Sequence, residues 1–329
     1  MKDLQKTPFV KELASSDRRT RDKATESLTL FLRSKTDLTL LDLLKLWKGL
    51  FFCFYHSDRP LTQQALARNL SYTLIPTLPR ATLHRFLRAF WITIGRDFHS
   101  LDRLRLDKYL YLIRCYVGVA FEIFLKGNKT EQQQSGHTNG AGGSKKRKRE
   151  QDANAAAGKK KRSKADKEDE TEERDADEGQ GGEEGDWAEL ESYITIIEEG
   201  PLCPLNFDPD QPPADAKNPN YVPMPHGPDG LRYHLLDIWI DEIEKVLEFE
   251  EEGEEQDGLS RKVKGQVPMD LLLRPVEKLR KDSPFKPVRV RAAETLNDDR
   301  LVEWGFKTRE VEEEDDDDSE QEWGGFADD

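Results

Sequence analysis

Between Leu125 and Trp187 the chain carries no Val, Leu, Ile, Met, Phe, Tyr or Trp. A stretch that long without a large apolar side chain cannot bury enough surface to offset its ordering entropy. It is therefore predicted to be disordered, and any core must come from the segments on either side. Within it, Gly127–Ser144 is rich in Gly, Gln and Asn. KKRKR (Lys145–Arg149) and KKKR (Lys159–Arg162) follow, and Asp166–Asp186 holds 12 acids against two bases. The end of the chain, Val311–Asp329, has 11 acids in 19 residues and is predicted to be disordered as well. The expected organisation is a basic helical domain over 1–126, a linker over 127–186, a second helical segment over 187–310 and an acidic tail over 311–329.

Charge follows the same division. Residues 1–125 hold 21 Lys+Arg and 12 Asp+Glu, net +9, whereas residues 187–329 hold 16 and 38, net -22. An overall charge of -14 thus conceals a basic half, which points to nucleic acid or acidic partners for that half alone. With 35% charged and 36% hydrophobic residues and a mean hydropathy of -0.81, the chain is too polar for one fully packed globule and too apolar for full disorder. Cys53, Cys115 and Cys203 stand far apart with no CxxC, which argues against a zinc module or a disulfide framework. Cys53 and Cys115 read as small core residues rather than reactive thiols. The opening MKDLQKTPFV has no apolar h-region, so a secretory signal is not expected. The most apolar stretches, Leu40–Tyr55 and Tyr109–Leu125, are interrupted by charges and are shorter than the ~20 residues of a membrane span.

Both flanking segments read as helices. Thr7-Pro8 marks a helix start, and Ser16 is the expected cap of the next helix, whose stripe is Ala24, Leu28, Phe31 and Leu32. Leu40–Tyr55 is apolar nearly all round, as a central helix requires. Pro60 opens a helix that Pro76 and Pro79 are expected to end. Leu83, Phe86, Leu87, Phe90, Trp91 and Ile94 form the next stripe, and Ser100 is the expected cap of a helix running to about Lys126. Trp187, Leu190, Ile194 and Ile197 begin the second segment. Pro201–Pro228 holds nine prolines and should cross in extended form. Leu231–Val246 and Leu272–Leu279 give two further helices, the latter kinked or ended by Pro275, and Val288–Trp304 a fourth. No period-two alternation suggests strands. The expected fold is all-α: HEAT-like antiparallel helical repeats, an α-solenoid, with a long disordered insertion and an acidic tail.

Motifs for catalysis are missing: no GxxxxGK[ST], GxGxxG, GxSxG or HExxH occurs, and no cofactor, metal or small-molecule substrate is expected. His234 and Asp237 share a helix face, which reads as a surface hydrogen bond before a metal or acid/base pair. Asp315–Asp318 lacks the spaced oxygens of a calcium loop. Basic residues are the stronger lead. Arg80, His84 and Arg88 recur every four residues; Arg103, Arg105 and Lys108 follow on the next helix; Arg18, Arg19, Arg21 and Lys23 crowd an earlier one. Arg80, Arg88, Arg103, Arg105 and Lys108 are the candidates for docking RNA phosphates or acidic partners, with no base-specific reading indicated.

Three blocks carry a resemblance: Lys45–Ala67 (KLWKGLFFCFYHSDRPLTQQALA), Phe90–Arg114 (FWITIGRDFHSLDRLRLDKYLYLIR) and Gly230–Ile243 (GLRYHLLDIWIDEI). The chain resembles the eukaryotic ribosomal RNA-processing protein 1 family over about residues 4–126, and more loosely over 187–305. Where that family often has Trp after the Arg-acid pair of the second block, this chain has Phe98, a mild core change. The resemblance implies an all-helical, non-enzymatic protein of the nucleus and nucleolus. It implies a role in assembling the large (60S) ribosomal subunit and maturing its pre-rRNA, inside early pre-60S particles beside other assembly factors. A scaffold of this kind needs shape and charge rather than chemistry. Trp47, Trp91 and Tyr109 in the matched blocks then read as core before stacking platforms. The competing reading is a helical-repeat adaptor that binds only proteins, in nuclear transport or chromatin. Lys145, Lys146, Arg147, Lys148, Arg149 and Lys159, Lys160, Lys161, Arg162 have the spacing of a bipartite nuclear localisation signal for an import receptor. Ser319, between acids, is a phosphorylation candidate, and Trp323 and Phe326 are candidate docking residues of the tail.

Overall fold

The computed structural model describes residues 11–13, 15–126, 187–205, 211–213, 215, 217–250 and 261–308. The expected helix start at Thr7-Pro8, the linker and the acidic tail lie outside them. Ten α-helices can be followed among the described residues. The first segment holds α1 (Arg18–Ser34), α2 (Leu40–Tyr55), α3 (Pro60–Arg68), α4 (Arg80–Asp97) and α5 (Arg103–Phe121). The second holds α6 (Ala188–Glu199), α7 (Asp229–Glu244), α8 (Met269–Asp282), α9 (Lys286–Leu296) and α10 (Asp299–Glu303). Pairing of strands is confined, among these residues, to one bridge between Phe249 and Val263.

Packing alternates along the chain. Helix α2 lies on α4, α4 on α6 and α6 on α8, while α3 lies on α5, α5 on α7 and α7 on α9. The even and odd helices thus form two rows, and α8 against α9 joins them at one end. This is an all-α helical repeat. The 127–186 interval falls between α5 and α6, and both rows continue across it, so the two segments share one core.

Aromatic side chains fill the space between rows. Trp47 on α2 sits among Phe86 and Phe90 of α4 and Tyr116 of α5, with ring centroids 5.0 to 5.4 Å away. Phe90 stacks on Tyr116 at 3.9 Å. Their polar tips are satisfied by backbone: Trp47 Nε1 donates to Phe86 O, Tyr109 OH to Phe51 O and Tyr116 OH to Leu70 O. Trp47, Trp91 and Tyr109 are all buried and are core residues, as expected. All three cysteines are buried, and burial raises the thiol pKa of Cys53 and Cys115.

Local chemistry corrects several expected boundaries. Asp17, not Ser16, caps α1, accepting from Thr20 N at 2.8 Å. Arg21 holds the carbonyls of Ser15 and Ser16 at 2.9 Å each, which keeps Ser16 outside the helix. Asp102, not Ser100, caps α5, because Phe98–Ser100 is already a 3₁₀ turn and Ser100 Oγ donates to Asp97 O. Helix α3 ends at Arg68, before either proline, and widens into a π turn over Asn69–Thr73. There Ser71 Oγ takes Ala67 O and Tyr116 OH takes Leu70 O, so Leu74 N reaches back to Asn69 O. Pro275 lies inside α8 and does not end it. Val276 and Leu279 beyond it are buried, and Leu272 O, in the turn before it, accepts the Trp239 indole N–H at 2.9 Å. Val288–Trp304 is two helices, since Asp298 starts α10 by accepting from Arg300 N.

The proline-rich crossing has a structural task. Pro219 O and Asn220 Oδ1 accept from Leu41 N and Leu40 N, two of the donors that the first turn of α2 leaves unpaired. Buried Arg232 fixes the other side of the crossing by donating to Cys203 O through two nitrogens.

Candidate functional site

The polar face of α4 presents Arg80, His84 and Arg88 at four-residue spacing, as the sequence indicates. Helix α6 covers that face. Arg80 pairs with Glu189 and Arg88 with Glu199 at 2.6 Å, while His84 Nε2 lies 2.9 Å from Glu189 O. Beside them Phe124 stacks on Tyr193 at 5.4 Å. The row of bases is thus largely an internal seam between a basic and an acidic segment.

The α5 residues divide in a similar way. Lys108 does not face solvent; only 2% of its side chain is exposed. Its ammonium donates to Tyr55 O at 2.8 Å, Ser57 O at 3.0 Å and Asp58 Oδ1 at 3.1 Å, closing the C-terminal end of α2. Burial lowers the Lys108 pKa against the opposing pull of Asp58. Arg105 pairs with Asp102 at 2.6 Å and lies over the Tyr55 ring. Arg103 is exposed and makes no ion pair among the described residues. Among the five docking candidates on the two helices, Lys108 is therefore not on an exposed polar face. Nothing local marks Lys108, since it follows Asp107 in a charged stretch, and the three oxygens that hold it come from residues 50 or more positions earlier.

Elsewhere charge also serves packing. Arg114 on α5 bonds Glu242 and Asp241 of α7, and Lys245 reaches Glu242 at 2.6 Å. Gly118 permits this approach, since a Cβ there would stand 2.6 Å from Glu242 Oε2 and 2.5 Å from Tyr72 OH. Burial pushes the Tyr72 phenol up to about 12. His234 and Asp237 do not act together: His234 Nε2 donates to Leu110 O at 2.9 Å, and Asp237 pairs with Arg291. No group of three His, Cys, Asp or Glu among the described residues is placed to hold a metal ion. No described helix is long and apolar enough to cross a membrane.

One basic surface escapes the sequence reading. Lys278, Arg280 and Lys281 near the end of α8 and Lys286 at the start of α9 are exposed, and none of them makes an ion pair among the described residues. The signal is present in the sequence as KLRKDSPFKPVRVR, but the net -22 of the surrounding half conceals it. Lys145–Arg149, Lys159–Arg162, Ser319, Trp323 and Phe326 lie outside the described residues.

Fold and surface together define an all-α repeat protein in which ion pairs such as Arg80–Glu189, Arg114–Asp241 and Arg274–Glu198 tie helices together. A family model described as nucleolar protein, Nop52, matches residues 4–141 and 216–325. Ribosomal RNA processing protein 1 homolog B of Homo sapiens is 38% identical over 243 residues, 72% of this chain and 22% of that protein. Homolog A of Homo sapiens is 36% identical over 131 residues, 38% of this chain and 28% of that protein. The homolog of Dictyostelium discoideum is 31% identical over 98 residues, 30% of this chain and 20% of that protein. Each match spans less than a third of the relative's own length. The chain belongs to the nucleolar Nop52 family, that of the ribosomal RNA-processing protein 1 homologues its sequence blocks resemble, and its place is the nucleolus within the nucleus.

Proposed function

We propose that the chain acts in ribosome biogenesis as a non-catalytic scaffold of the large (60S) subunit, serving pre-rRNA processing inside early pre-60S particles. One observation carries this reading: the family match runs over both segments of the stack, and relatives matching the chain are named for ribosomal RNA processing. A rigid two-row stack with a continuous core suits a part that holds neighbours in place. Its partners would be pre-rRNA and other large-subunit assembly factors, and KKRKR with KKKR would recruit an import receptor. Arg103 is the member of the original five bases that keeps a free charge for such contacts; Arg80, Arg88 and Arg105 would contribute through the outward side of their ion pairs. Ser319 phosphorylation and docking by Trp323 and Phe326 belong to the same proposal for the tail.

Depletion of the protein tests it. The expected result is a loss of 60S subunits, an accumulation of large-subunit pre-rRNA on northern blots, and co-sedimentation of the tagged protein with pre-60S particles on gradients. Unchanged precursors, with the protein recovered only in transport or chromatin complexes, would replace this reading by the adaptor one. Ala replacement of both basic runs should abolish nuclear uptake of a fluorescent fusion.

A further inference from the structure

Arginines in the acidic half are typically held by acids. Arg274 pairs with Glu191 and Glu198, Arg291 with Asp237, and Arg300 with Asp241, Glu244 and Asp298. The corner joining α8 to α9 breaks that pattern at Lys278, Arg280, Lys281 and Lys286, with Arg291 at its far end the base that is held by an acid. Residues 277–291 contain six bases and two acids, Glu277 and Asp282, so the corner is net +4 inside a half of net -22. Arg280 and Lys281 suit the negative end of α8, which is an ordinary helix preference. Lys286 has no such explanation. It opens α9, whose first turn contains no acid, and a cation at the positive end of a helix is unfavourable without an outside anion.

The corner is also aromatic. Phe285 is 38% exposed between Lys281 and Lys286. A groove of about 480 Å³ next to it is lined by Tyr233, Lys286, Pro287, Val290, Arg291 and Glu294. Lys281 and Lys286 are at most ~19 Å apart, given the reach of five residues. Bases set around an exposed ring suit a single strand, whose phosphates meet the cations while a base stacks on the ring. An acidic peptide meets the cations as well but uses the ring only through an aromatic residue of its own, whereas every nucleotide of a single strand brings a face to stack.

We propose that the α8–α9 corner binds single-stranded RNA, with Lys278, Arg280, Lys281 and Lys286 on the phosphates and Phe285 as a stacking platform. The identification of RNA as the ligand rests on the proposed function; the site itself rests on the corner. The acidic surroundings confine a polyanion to this patch, and phosphate contacts make its binding salt-dependent and tolerant of sequence.

The test uses the full chain with Lys145–Arg149 and Lys159–Arg162 changed to Ala, so that those runs do not mask the corner. Binding of labelled oligouridylate is followed by anisotropy against salt, with oligoglutamate of equal length as the second probe. Changing Lys278, Arg280, Lys281 and Lys286 together to Ala should weaken RNA binding at least tenfold. It should also lower the slope of log K against log salt by about 3, as four lost phosphate contacts require. Phe285→Ala should weaken RNA binding about tenfold at unchanged slope, Phe285→Tyr should retain it, and neither should affect oligoglutamate. Circular dichroism of each variant confirms folding. An unchanged affinity and slope in the fourfold variant overturns the site, as does tighter binding of oligoglutamate than of RNA. Release of the fourfold variant from pre-60S particles with RNA affinity unaltered would overturn the RNA assignment and leave the assembly reading standing.

Discussion

A lysine held by three oxygens behaves unlike one facing water, and Lys108 is of the first kind. Replacing it by Met keeps the stem and leaves the carbonyls of Tyr55 and Ser57 without their main donor. Each such buried group costs about 1–3 kcal/mol, so Lys108→Met should lose about 3 kcal/mol in urea unfolding. Arg103→Met, five residues earlier and exposed, should stay within ~0.5 kcal/mol. Equal losses at the two positions would show that Lys108 clamps nothing. His234 supplies a pH-dependent counterpart. Burial lowers its pKa, against the hydrogen bond to Leu110 O and nearby Asp237, while Arg114 acts with burial. The folded state therefore favours neutral imidazole. Its contribution is present above the unfolded pKa near ~6.5 and is lost as pH falls through the lower folded value. Between pH 7.5 and 5 the native chain should lose more stability than His234→Gln, measured by urea midpoints at each pH; parallel curves would remove His234 from the account.

At the scale of helices, the α4–α6 seam sets ion pairs against apolar packing. Arg88 and Glu199 are close, but Glu199 is 44% exposed, and pairs of that kind couple by at most ~1 kcal/mol. Ile197 on the same helix is fully buried, and truncating such a side chain to Ala costs about 2–5 kcal/mol. A double-mutant cycle on Arg88 and Glu199 should thus return less than ~1 kcal/mol, while Ile197→Ala alone exceeds it at least twofold. A larger coupling than the Ile197 loss would mean that charge, not packing, joins the segments. The same seam shows what the sequence makes legible. The spacing of Arg80, His84 and Arg88 places them on one face of a helix, and periodicity alone finds α2, α4, α5 and the core aromatics. Their partners are another matter, because Glu189 and Glu199 lie 109 and 111 residues away and nothing in local spacing marks them. Boundaries fail for a related reason. The π turn after α3 depends on Tyr116, 46 residues distant, and the position of Ser16 on the guanidinium of Arg21. The α8–α9 bases are visible as a run, but which bases stay unpaired is decided by tertiary contacts.

At the scale of the whole molecule, the interval between α5 and α6 leaves the stack from a turn, Glu122–Lys126, that already touches α6. Phe124 and Tyr193, one shortly before the interval and one shortly after it, stack at 5.4 Å, so the chain ends to be connected are near each other. A linker of about ten residues, reaching up to ~33 Å, spans such a gap without strain. Closing a shorter loop is entropically favourable, by only ~0.6 kcal/mol per halving of length. The two-row core described above is built from residues of the flanking segments, which form one compact unit. Replacing residues 128–186 by such a Gly/Ser linker should therefore leave the urea-derived stability of the stack unchanged or raise it by no more than about 1.5 kcal/mol. The same variant lacks both basic runs and should fail to enter the nucleus on its own, returning when an unrelated import signal is appended. With import restored, co-sedimentation with pre-60S particles separates the roles. Binding at the native level would assign particle contact to the stack, including its α8–α9 corner, and import to the insertion. A loss of several kcal/mol of stability in urea unfolding would instead make the insertion part of the fold and refute the division between stack and insertion.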